Sequence, residues 1–335
     1  MITKKPSSSD VADRAGVSLA TVSYVFNGRK GASVPDATRT RVLEAAQMIG
    51  YRPNRLARGL AHGKSFLIGM VSRLDTFDGR IAAPIRDDLT NRGYQILLTR
   101  SRQHWEIDPA EVEILLEHRV DGLVCVSGGW GRTDPRPWVP AVVDHGVPCV
   151  IINDADATGK LDCVVSDNIG GALAIIAHLA SRGHRRIGHI PGGDSMFTGY
   201  ERHQGYLKAL ATTGLAADPD LVQGEGYSIE AGYQGAQRLL SLPDRPTAIF
   251  AANDISATGA YHAAMDLGFR VPQDVAIAGF GNEREAQALR LTTIEQHPAA
   301  MAAEAAKLLM ERIEHPEREA QTRIVPVELM VRGTT

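Results

Sequence analysis

The sequence is poor in several residue types that mark specialised protein classes. Aromatic residues make up 5% of it, and its three cysteines, Cys125, Cys149 and Cys163, lie far apart without a C-x-x-C pair. Each cysteine lies in or beside an apolar run, which indicates buried, reduced thiols. No apolar run approaches the roughly 20 residues of a membrane span, and no apolar signal-peptide segment follows Met1. These absences favour a cytoplasmic protein.

Motifs for catalysis are also missing. The sequence contains no G-x-S-x-G and no H-E-x-x-H, and its 11 histidines are scattered. The segment GLAHGKS at 59–65 is one residue short of a phosphate-binding loop and precedes a strand-like run, whereas such a loop follows a strand. We therefore expect no enzyme, no cofactor and no metal site.

The net charge of −3 is the sum of the charges of two unlike parts. Residues 1–65 hold eleven basic and four acidic side chains, a net charge of +7, which leaves −10 on the rest of the chain. A basic segment joined to an acidic body indicates that the two parts meet different partners, and nucleic acid is the partner that suits the basic one.

The basic segment has the pattern of a helix-turn-helix. Ser7 and Asp10 have the spacing of a capping box at the start of a short helix, and Gly16 predicts its end. Ser18 is placed to cap a second helix over 19–26. Two short helices joined by a tight turn that contains glycine form a helix-turn-helix. A third helix is predicted over 35–49, because proline suits a first turn and a glycine follows.

The second helix has an apolar face, Val22 and Val25, and an opposite face that we expect to meet DNA. The first turns of such a helix reach base edges, while short polar side chains hold phosphates. The candidates for base reading are Leu19, Ala20 and Tyr24. The candidates for phosphate contacts are Thr21, Ser23, Asn27, Arg29, Lys30 and Arg39. A hairpin that only packs on the body is the alternative, but it leaves the charge of +7 unexplained.

From residue 65 onward, strand-like apolar runs alternate with helical stretches. The first series of runs covers 66–71, 95–98, 122–126 and 148–152, and the second covers 163–165, 186–190, 248–251 and 275–280. Two such series predict an α/β body of two doubly wound parallel sheets. Ligands bind such sheets beyond the carboxyl ends of the strands, so polar residues there are candidates for a binding site. For Asp167, Asn168 and Asn253, capping of the following helix is the plainer alternative.

Several motifs of the basic segment occur in a fixed order. They are Asp10-Val11-Ala12, Ala15-Gly16-Val17-Ser18, Ala20-Thr21-Val22-Ser23, Asn27-Gly28 and Gly50-Tyr51-Arg52-Pro53-Asn54. Together they resemble the DNA-binding head of the lactose-repressor (LacI/GalR) family of bacterial transcription regulators. The resemblance implies a hinge helix at 54–61 that enters the minor groove, with Leu60 as an apolar wedge. Its predicted contact residues are Asn54, Arg55, Ala57, Arg58, Leu60 and Ala61. Many family members have arginine where this chain has Tyr24.

The body also resembles this family and the periplasmic sugar-binding proteins. The matching motifs include Ser166-Asp167-Asn168, Arg202-x-x-Gly205-Tyr206, Ala252-Asn253-Asp254 and Leu291-Thr292-Thr293-Ile294-x-Gln296. The resemblance implies an effector pocket formed by Asp167, Arg202, Asn253 and Gln296, with Tyr227 stacking on a sugar ring. Where the family usually has aspartate this chain has Gly281, and Asn282 is the candidate replacement. The further candidates for the lining of the cleft are Phe77 and Trp130.

The resemblance also implies a division of the chain. The predicted parts are a head at 1–53, a hinge helix and linker at 54–64, a first body subdomain at 65–161 and 297–322, and a second at 162–296 and 323–335. The body would be periplasmic-binding-protein-like and the head all-α.

We predict a transcriptional regulator, a repressor whose affinity for a pseudo-palindromic double-stranded operator responds to a small polar effector, a sugar or sugar derivative. It would be a homodimer, cytoplasmic and associated with the nucleoid when bound to DNA. The alternative is a carbohydrate-binding or carbohydrate-modifying core whose basic head serves another contact.

Overall fold

The computed structural model describes residues 6–27, 34–52, 63–73, 76–100, 107–126 and 136–335. The chain divides into two compact units, Met1–Phe66 and Leu67–Thr335. Several predicted contact residues lie outside the described ones, namely Arg29, Lys30, Asn54, Arg55, Ala57, Arg58, Leu60, Ala61 and Trp130. The side chain of Asn27 is outside the description as well. No helix among the described residues is long and apolar enough to cross a membrane.

The described part of the first unit contains the three predicted helices. They are α1 (Ser8–Ala15), α2 (Leu19–Asn27) and α3 (Asp36–Met48). The capping box is present, since the Asp10 carboxylate accepts from the Ser7 N–H at 2.7 Å and Ser7 Oγ accepts from the Asp10 N–H at 3.3 Å. Gly16 ends α1 in the left-handed region, at φ 61°. Ser18 Oγ accepts from the Thr21 N–H at 3.1 Å, so α2 begins where the sequence predicts.

One apolar core joins the three helices. Its buried members are Val11, Ala12, Ala15, Val22, Val25, Val42, Ala45 and Ala46. The burial of Val22 and Val25 confirms the predicted inner face of α2. Phe26 packs edge-on against Tyr51, with ring centroids 5.7 Å apart, and so extends the apolar contact beyond the last turn of α3.

The second unit is an α/β structure. Its strands are β1 (Leu67–Ser72), β2 (Gln95–Arg100), β3 (Gly122–Val126), β4 (Cys149–Ile152), β5 (Asp162–Ser166), β6 (Ile187–Ile190), β7 (Ala248–Ala251), β8 (Ala276–Ala278), β9 (Thr293–Glu295), β10 (Thr322–Val325) and β11 (Glu328–Met330). Six of them form a parallel sheet in the order β10-β5-β4-β3-β1-β2, and three form a second parallel sheet, β6-β7-β8. The last two, β9 and β11, pair antiparallel. The prediction of two parallel sheets is confirmed.

Helices pack on both sheets. They are α4 (Thr76–Asn91), α5 (Pro109–Glu117), α6 (Val139–Asp144), α7 (Asn168–Ser181), α8 (Phe197–Thr213), α9 (Ile229–Leu240), α10 (Asp254–Asp266), α11 (Arg284–Ala288) and α12 (Pro298–Glu314). The backbones of α9 and α10 lie in close contact at Gly232, where a Cβ would lie 1.9 Å from the Ser256 carbonyl oxygen. Only glycine permits this contact.

The predicted division of the body is wrong at two strands. Residues 162–166 were expected to begin the second subdomain, and residues 323–335 were assigned to it as well. In the structure β5 pairs with β4 in the first sheet, with Ile151 opposite Cys163, and β10 pairs with β5, with Thr322 opposite Cys163. The buried run at 163–165 satisfies its backbone groups between these two strands. The first sheet therefore has six strands.

The chain passes between the two sheets three times. The passages lie between β5 and α7, between β9 and α12, and between β10 and β11. All three lie close together, because the Asp167 N–H donates to the Val325 carbonyl at 3.0 Å and Ser166 Oγ donates to Gln296 Oε1 at 3.1 Å. This meeting point of three segments is called the crossover region below.

A buried carboxylate holds the last helix and the last strand of the first sheet to β5. Asp162 is fully buried and pairs with Arg312 at 3.0 Å and with Arg318 at 2.7 Å. Its Oδ1 also accepts from the Gln321 N–H at 2.8 Å.

We predict that Asp162→Asn lowers the free energy of unfolding by about 3 kcal/mol, because it leaves two largely buried guanidinium groups without their anion. Asp88→Asn is the control, since the Asp88–Arg92 pair is exposed on both sides and should contribute less than about 0.5 kcal/mol. Urea denaturation of both variants measures the difference. Equal effects of the two substitutions would contradict the role of Asp162.

Candidate functional site

The outer face of α2 presents the predicted base-reading residues. Leu19 is 54% exposed and Ala20 is exposed, whereas Tyr24 is half-buried. Val22 and Val25 are turned into the core of the unit. The candidates from the first two turns of α2 therefore lie on one side of the helix, opposite the apolar face.

The phosphate candidates in the described part of the chain have the exposure that their proposed role requires. Ser23 and Arg39 are exposed, and Thr21 is half-buried. The guanidinium of Arg39 also donates to the Val25 carbonyl at 3.4 Å, which positions it at the end of α2. Three further arginines among the described residues of the unit are exposed, namely Arg14, Arg41 and Arg52. Exposed cations of this number provide sequence-independent attraction to phosphate.

In the second unit, Arg202 is the centre of the candidate effector site. Its side chain is 4% exposed and projects from α8 toward the crossover region. Nε donates to Asn168 Oδ1 at 2.9 Å, Nη1 to the Ala252 carbonyl at 2.7 Å and Nη2 to Gln296 Oε1 at 3.1 Å. The guanidinium carbon lies 3.8 Å from the centre of the Phe280 ring. Two predicted pocket residues, Arg202 and Gln296, are thus in direct contact.

The acceptors that bond the Arg202 guanidinium are uncharged amide and carbonyl oxygens. Among the described residues its guanidinium forms no ion pair, and one N–H remains on each of Nη1 and Nη2. Burial lowers the pKa of Arg202, and the nearby Tyr227, Asp254 and Glu201 partly offset this effect. A ligand that accepts hydrogen bonds would meet an oriented, largely desolvated donor.

Asp167 and Asn253 act as helix caps, as the plainer alternative predicted. Asp167 Oδ1 accepts from the Gly170 N–H at 2.8 Å at the start of α7. Asn253 Oδ1 accepts from the Ser256 N–H at 2.8 Å at the start of α10. Both side chains are half-buried. Capping uses one oxygen of each group and does not prevent a second contact to a ligand.

Tyr227 lies in a small buried cluster with Met196 and Ala252. Its hydroxyl is 2.8 Å from Thr198 Oγ1, and its carbonyl accepts from the Asn253 amide at 3.3 Å. Its ring lies against Gly192, where a Cβ would approach it to 2.3 Å. The absence of a side chain at Gly192 therefore allows the ring to occupy this position.

The structure does not support Asn282 as a replacement for the family's aspartate. Its amide nitrogen donates to Glu295 at 2.6 Å, and its amide oxygen accepts from Arg332 at 2.5 Å. Both ends of the amide are therefore already bonded within the protein. Gly281, at the position where the family usually has aspartate, has φ 137°, which strains any other residue.

Arg80 joins the two subdomains close to Gly281 and is not among the predicted site residues. It projects from α4, which packs on the first sheet, and its Nη1 donates to the Gly281 carbonyl at 3.0 Å. Its Nη2 pairs with Glu295 at 3.1 Å. The predicted residue of this segment was Phe77, three positions before Arg80. Phe77 is half-buried, and the described bonds of the Arg202 cluster do not include it.

Asp254 follows Asn253 beyond the carboxyl end of β7, among the polar residues that the sequence places after strands. It is fully buried and accepts from the Glu283 N–H at 2.8 Å and from Thr293 Oγ1. Burial raises its pKa to about 6, although these hydrogen bonds and the charges of Arg202 and Arg332 lower it.

The thiols agree with the sequence analysis. Cys125, Cys149 and Cys163 are free and buried. Burial raises the pKa of Cys163 to about 12, so this group is a neutral thiol at pH 7. The described residues include no cluster of three or more histidine, cysteine, aspartate or glutamate side chains that could hold a metal ion.

Asp254 should make the free energy of unfolding of the second unit fall as pH rises from 4 to 6. Its folded-state pKa of about 6 lies above the ordinary 3.8, so between these values the folded state binds the proton more tightly than the unfolded state. Its contribution to the free energy of unfolding is therefore complete below pH 4 and declines by about 3 kcal/mol as pH rises through 6. Chemical denaturation at pH 4 to 7 should show this decline in the wild type relative to Asp254→Asn. A pH-independent difference between the two proteins would contradict it.

Family models match both units. A model described as bacterial regulatory proteins, lacI family, matches residues 9–54, and one described as a periplasmic binding protein-like domain matches residues 176–335. Among curated relatives, the HTH-type transcriptional repressor PurR of Erwinia tasmaniensis is 35% identical over 321 residues, 93% of this chain and 92% of that protein. The PurR repressor of Mannheimia succiniciproducens is 32% identical over 96% of both chains.

Solved structures give the same result. The lac repressor dimer bound to operator and the anti-inducer ONPF is 27% identical, covers 99% of both chains and has a TM-score of 0.85. A complex of the transcriptional regulator CelR with cellobiose is 30% identical, covers 98% of this chain and all of that one, and has a TM-score of 0.73. These relatives are repressors and regulators, which argues against the alternative of a carbohydrate-modifying enzyme. The chain belongs to the LacI family and is a DNA-binding transcriptional repressor with a helix-turn-helix head and a periplasmic-binding-protein-like body.

Proposed function

We propose that this repressor acts in the cytoplasm as a homodimer, that it binds a pseudo-palindromic operator, and that a sugar or sugar derivative bound at Arg202 controls its operator affinity. The observation that carries the proposal is the position of Arg202, a buried donor at the point where the chain passes between the two sheets. A ligand there contacts residues of more than one crossing segment. It therefore favours one arrangement of the two subdomains over another, which is what allosteric control requires.

The chemistry around Arg202 suits a ligand rich in hydroxyl groups. Arg202 retains two N–H donors, and Asp167 and Asn253 retain capacity beyond their capping bonds. Vicinal hydroxyls both donate and accept, so they can use a guanidinium and a carboxylate together. The flat ring of Tyr227 provides an apolar surface of the kind that packs against the C–H face of a sugar. The similarity to the CelR–cellobiose complex supports this class of ligand.

In the proposed function the helix-turn-helix head binds the operator. A dimer with two-fold symmetry places two copies of α2 in successive major grooves of an operator with matching symmetry. The hinge residues 54–61 would follow into the minor groove between them, where Leu60 would separate two base pairs and kink the duplex. Selection of operator sequences from a random duplex library at physiological salt tests the proposal. Failure to enrich any sequence would refute it.

We predict that Leu60→Ala weakens binding to the selected operator by about tenfold or more, because the apolar wedge is lost. Binding to random duplex should stay within about twofold, since phosphate contacts supply it. Fluorescence anisotropy at two salt concentrations measures both. Leu43→Ala is a matched control, because Leu43 is an exposed leucine of α3 in the same unit. Equal losses on operator and random DNA would remove the wedge role.

For the effector site we predict that Arg202→Lys raises the Kd for the effector by about tenfold or more, because a single ammonium cannot bond three divergent acceptors and a ligand. Thermal-shift titration with cellobiose, glucose and other neutral sugars identifies a ligand, since at 100 times its Kd it stabilises the protein by about 2.7 kcal/mol. Arg270→Lys, at an exposed ion pair, is the control. An unchanged effector Kd in Arg202→Lys would place the ligand elsewhere.

A further inference from the structure

The first turn of α2 carries an apolar side chain that is not part of the core of its unit. Leu19, which directly follows the capping residue Ser18, is 54% exposed, and Ala20 beside it is exposed too. The core of the unit is formed by other residues of this helix, Val22 and Val25. An exposed leucine is ordinary by itself, but this one is in the first turn of the helix that we propose enters the major groove.

The same two turns lack the groups that read purines by paired hydrogen bonds. Residues 19–26 are Leu, Ala, Thr, Val, Ser, Tyr, Val and Phe, with no arginine, lysine, asparagine or glutamine. Guanine is read by arginine or lysine at O6 and N7, and adenine by asparagine or glutamine at N6 and N7. Tyr24 has one hydroxyl, which can make a single contact but not a bidentate pair.

The polar groups of the first turn are already bonded to each other. Ser18 Oγ lies 2.9 Å from Thr21 Oγ1 and also accepts from the Thr21 N–H. This arrangement fixes the start of α2 and leaves Leu19 and Ala20 as its projecting side chains. The only methyl group on the major-groove edge of a base pair is the C5 methyl of thymine, which is the apolar contact that such side chains make.

We infer that the repressor recognises its operator chiefly through thymine methyl groups, which Leu19 and Ala20 contact in each half-site. This inference rests on the proposed binding of α2 in the major groove. Affinity then comes from the exposed arginines through phosphate, and discrimination comes from the burial of methyl groups against the apolar end of α2. Operators of this type are distinguished by the position of A·T pairs and their orientation, since only the thymine strand carries the methyl.

The test replaces thymine by deoxyuridine in the operator selected from the random library. This change removes the C5 methyl and leaves every hydrogen-bonding group of the base in place. Each half-site thymine is replaced in turn, and the Kd of the full-length protein is measured by fluorescence anisotropy. Replacement of guanine by 7-deazaguanine, which removes the N7 acceptor, forms the second arm. Deoxyuridine outside the half-sites is the control.

We expect the Kd to rise about fourfold at one or two thymines of each half-site, the factor that corresponds to burial of one methyl group. In Leu19→Ala the penalty at the contacted thymine should fall below about twofold. Leu19 is exposed, so this variant should fold. If every deoxyuridine operator binds as tightly as the thymine operator, or if the loss occurs with 7-deazaguanine instead, the inference is wrong. In either case the enriched operator still supports the proposed binding of an operator, which fails if no operator is selected.

Discussion

The buried guanidinium of Arg202 is the interaction on which the organisation of the body depends. It bonds Asn168 next to the first passage between the sheets and Gln296 in the second. The Gln296 amide oxygen also accepts from Ser166, and the neighbouring Asp167 N–H bonds the Val325 carbonyl in the third passage. One guanidinium group thus connects Asn168 and Gln296, which are more than a hundred residues apart in the sequence. In the proposed function an effector would bond the same guanidinium, so ligand binding and the arrangement of the subdomains would share one set of contacts.

A second contact between the two subdomains lies at Gly281. Gly281 has a conformation that other residues would not adopt without strain, and its carbonyl is bonded by Arg80 from the first subdomain. Arg80 also pairs with Glu295, so an ion pair between subdomains stands beside a position where the family usually has a carboxylate. In the proposed function, the residues that select the effector and those that join the two subdomains would be neighbours. A ligand chosen by analogy with a relative that has aspartate there need not fit this cleft.

Local features were predictable from the sequence, and contacts between distant segments were not. The capping box at Ser7 and the inner face of α2 follow from spacings of three and four residues, which a helix brings together. The strand at 162–166 was assigned to the wrong sheet, because a series of apolar runs does not show where the chain leaves one sheet for the next, and its second partner, β10, is about 160 residues away. Arg80 was missed for the same reason, since nothing near it in the sequence indicates Glu295. Asn282 was a plausible acceptor by type, but Arg332 and Glu295 occupy its amide.

The contacts of Arg202 hold the crossover region together. Amide hydrogen exchange of the full-length protein, with wild type compared with Arg202→Lys, measures this role. We expect faster exchange in the peptides that cover 164–170 and 293–299, and unchanged exchange in β3 at the centre of the first sheet. Unchanged protection at 293–299, or a uniform increase across the whole second unit, would contradict the claim.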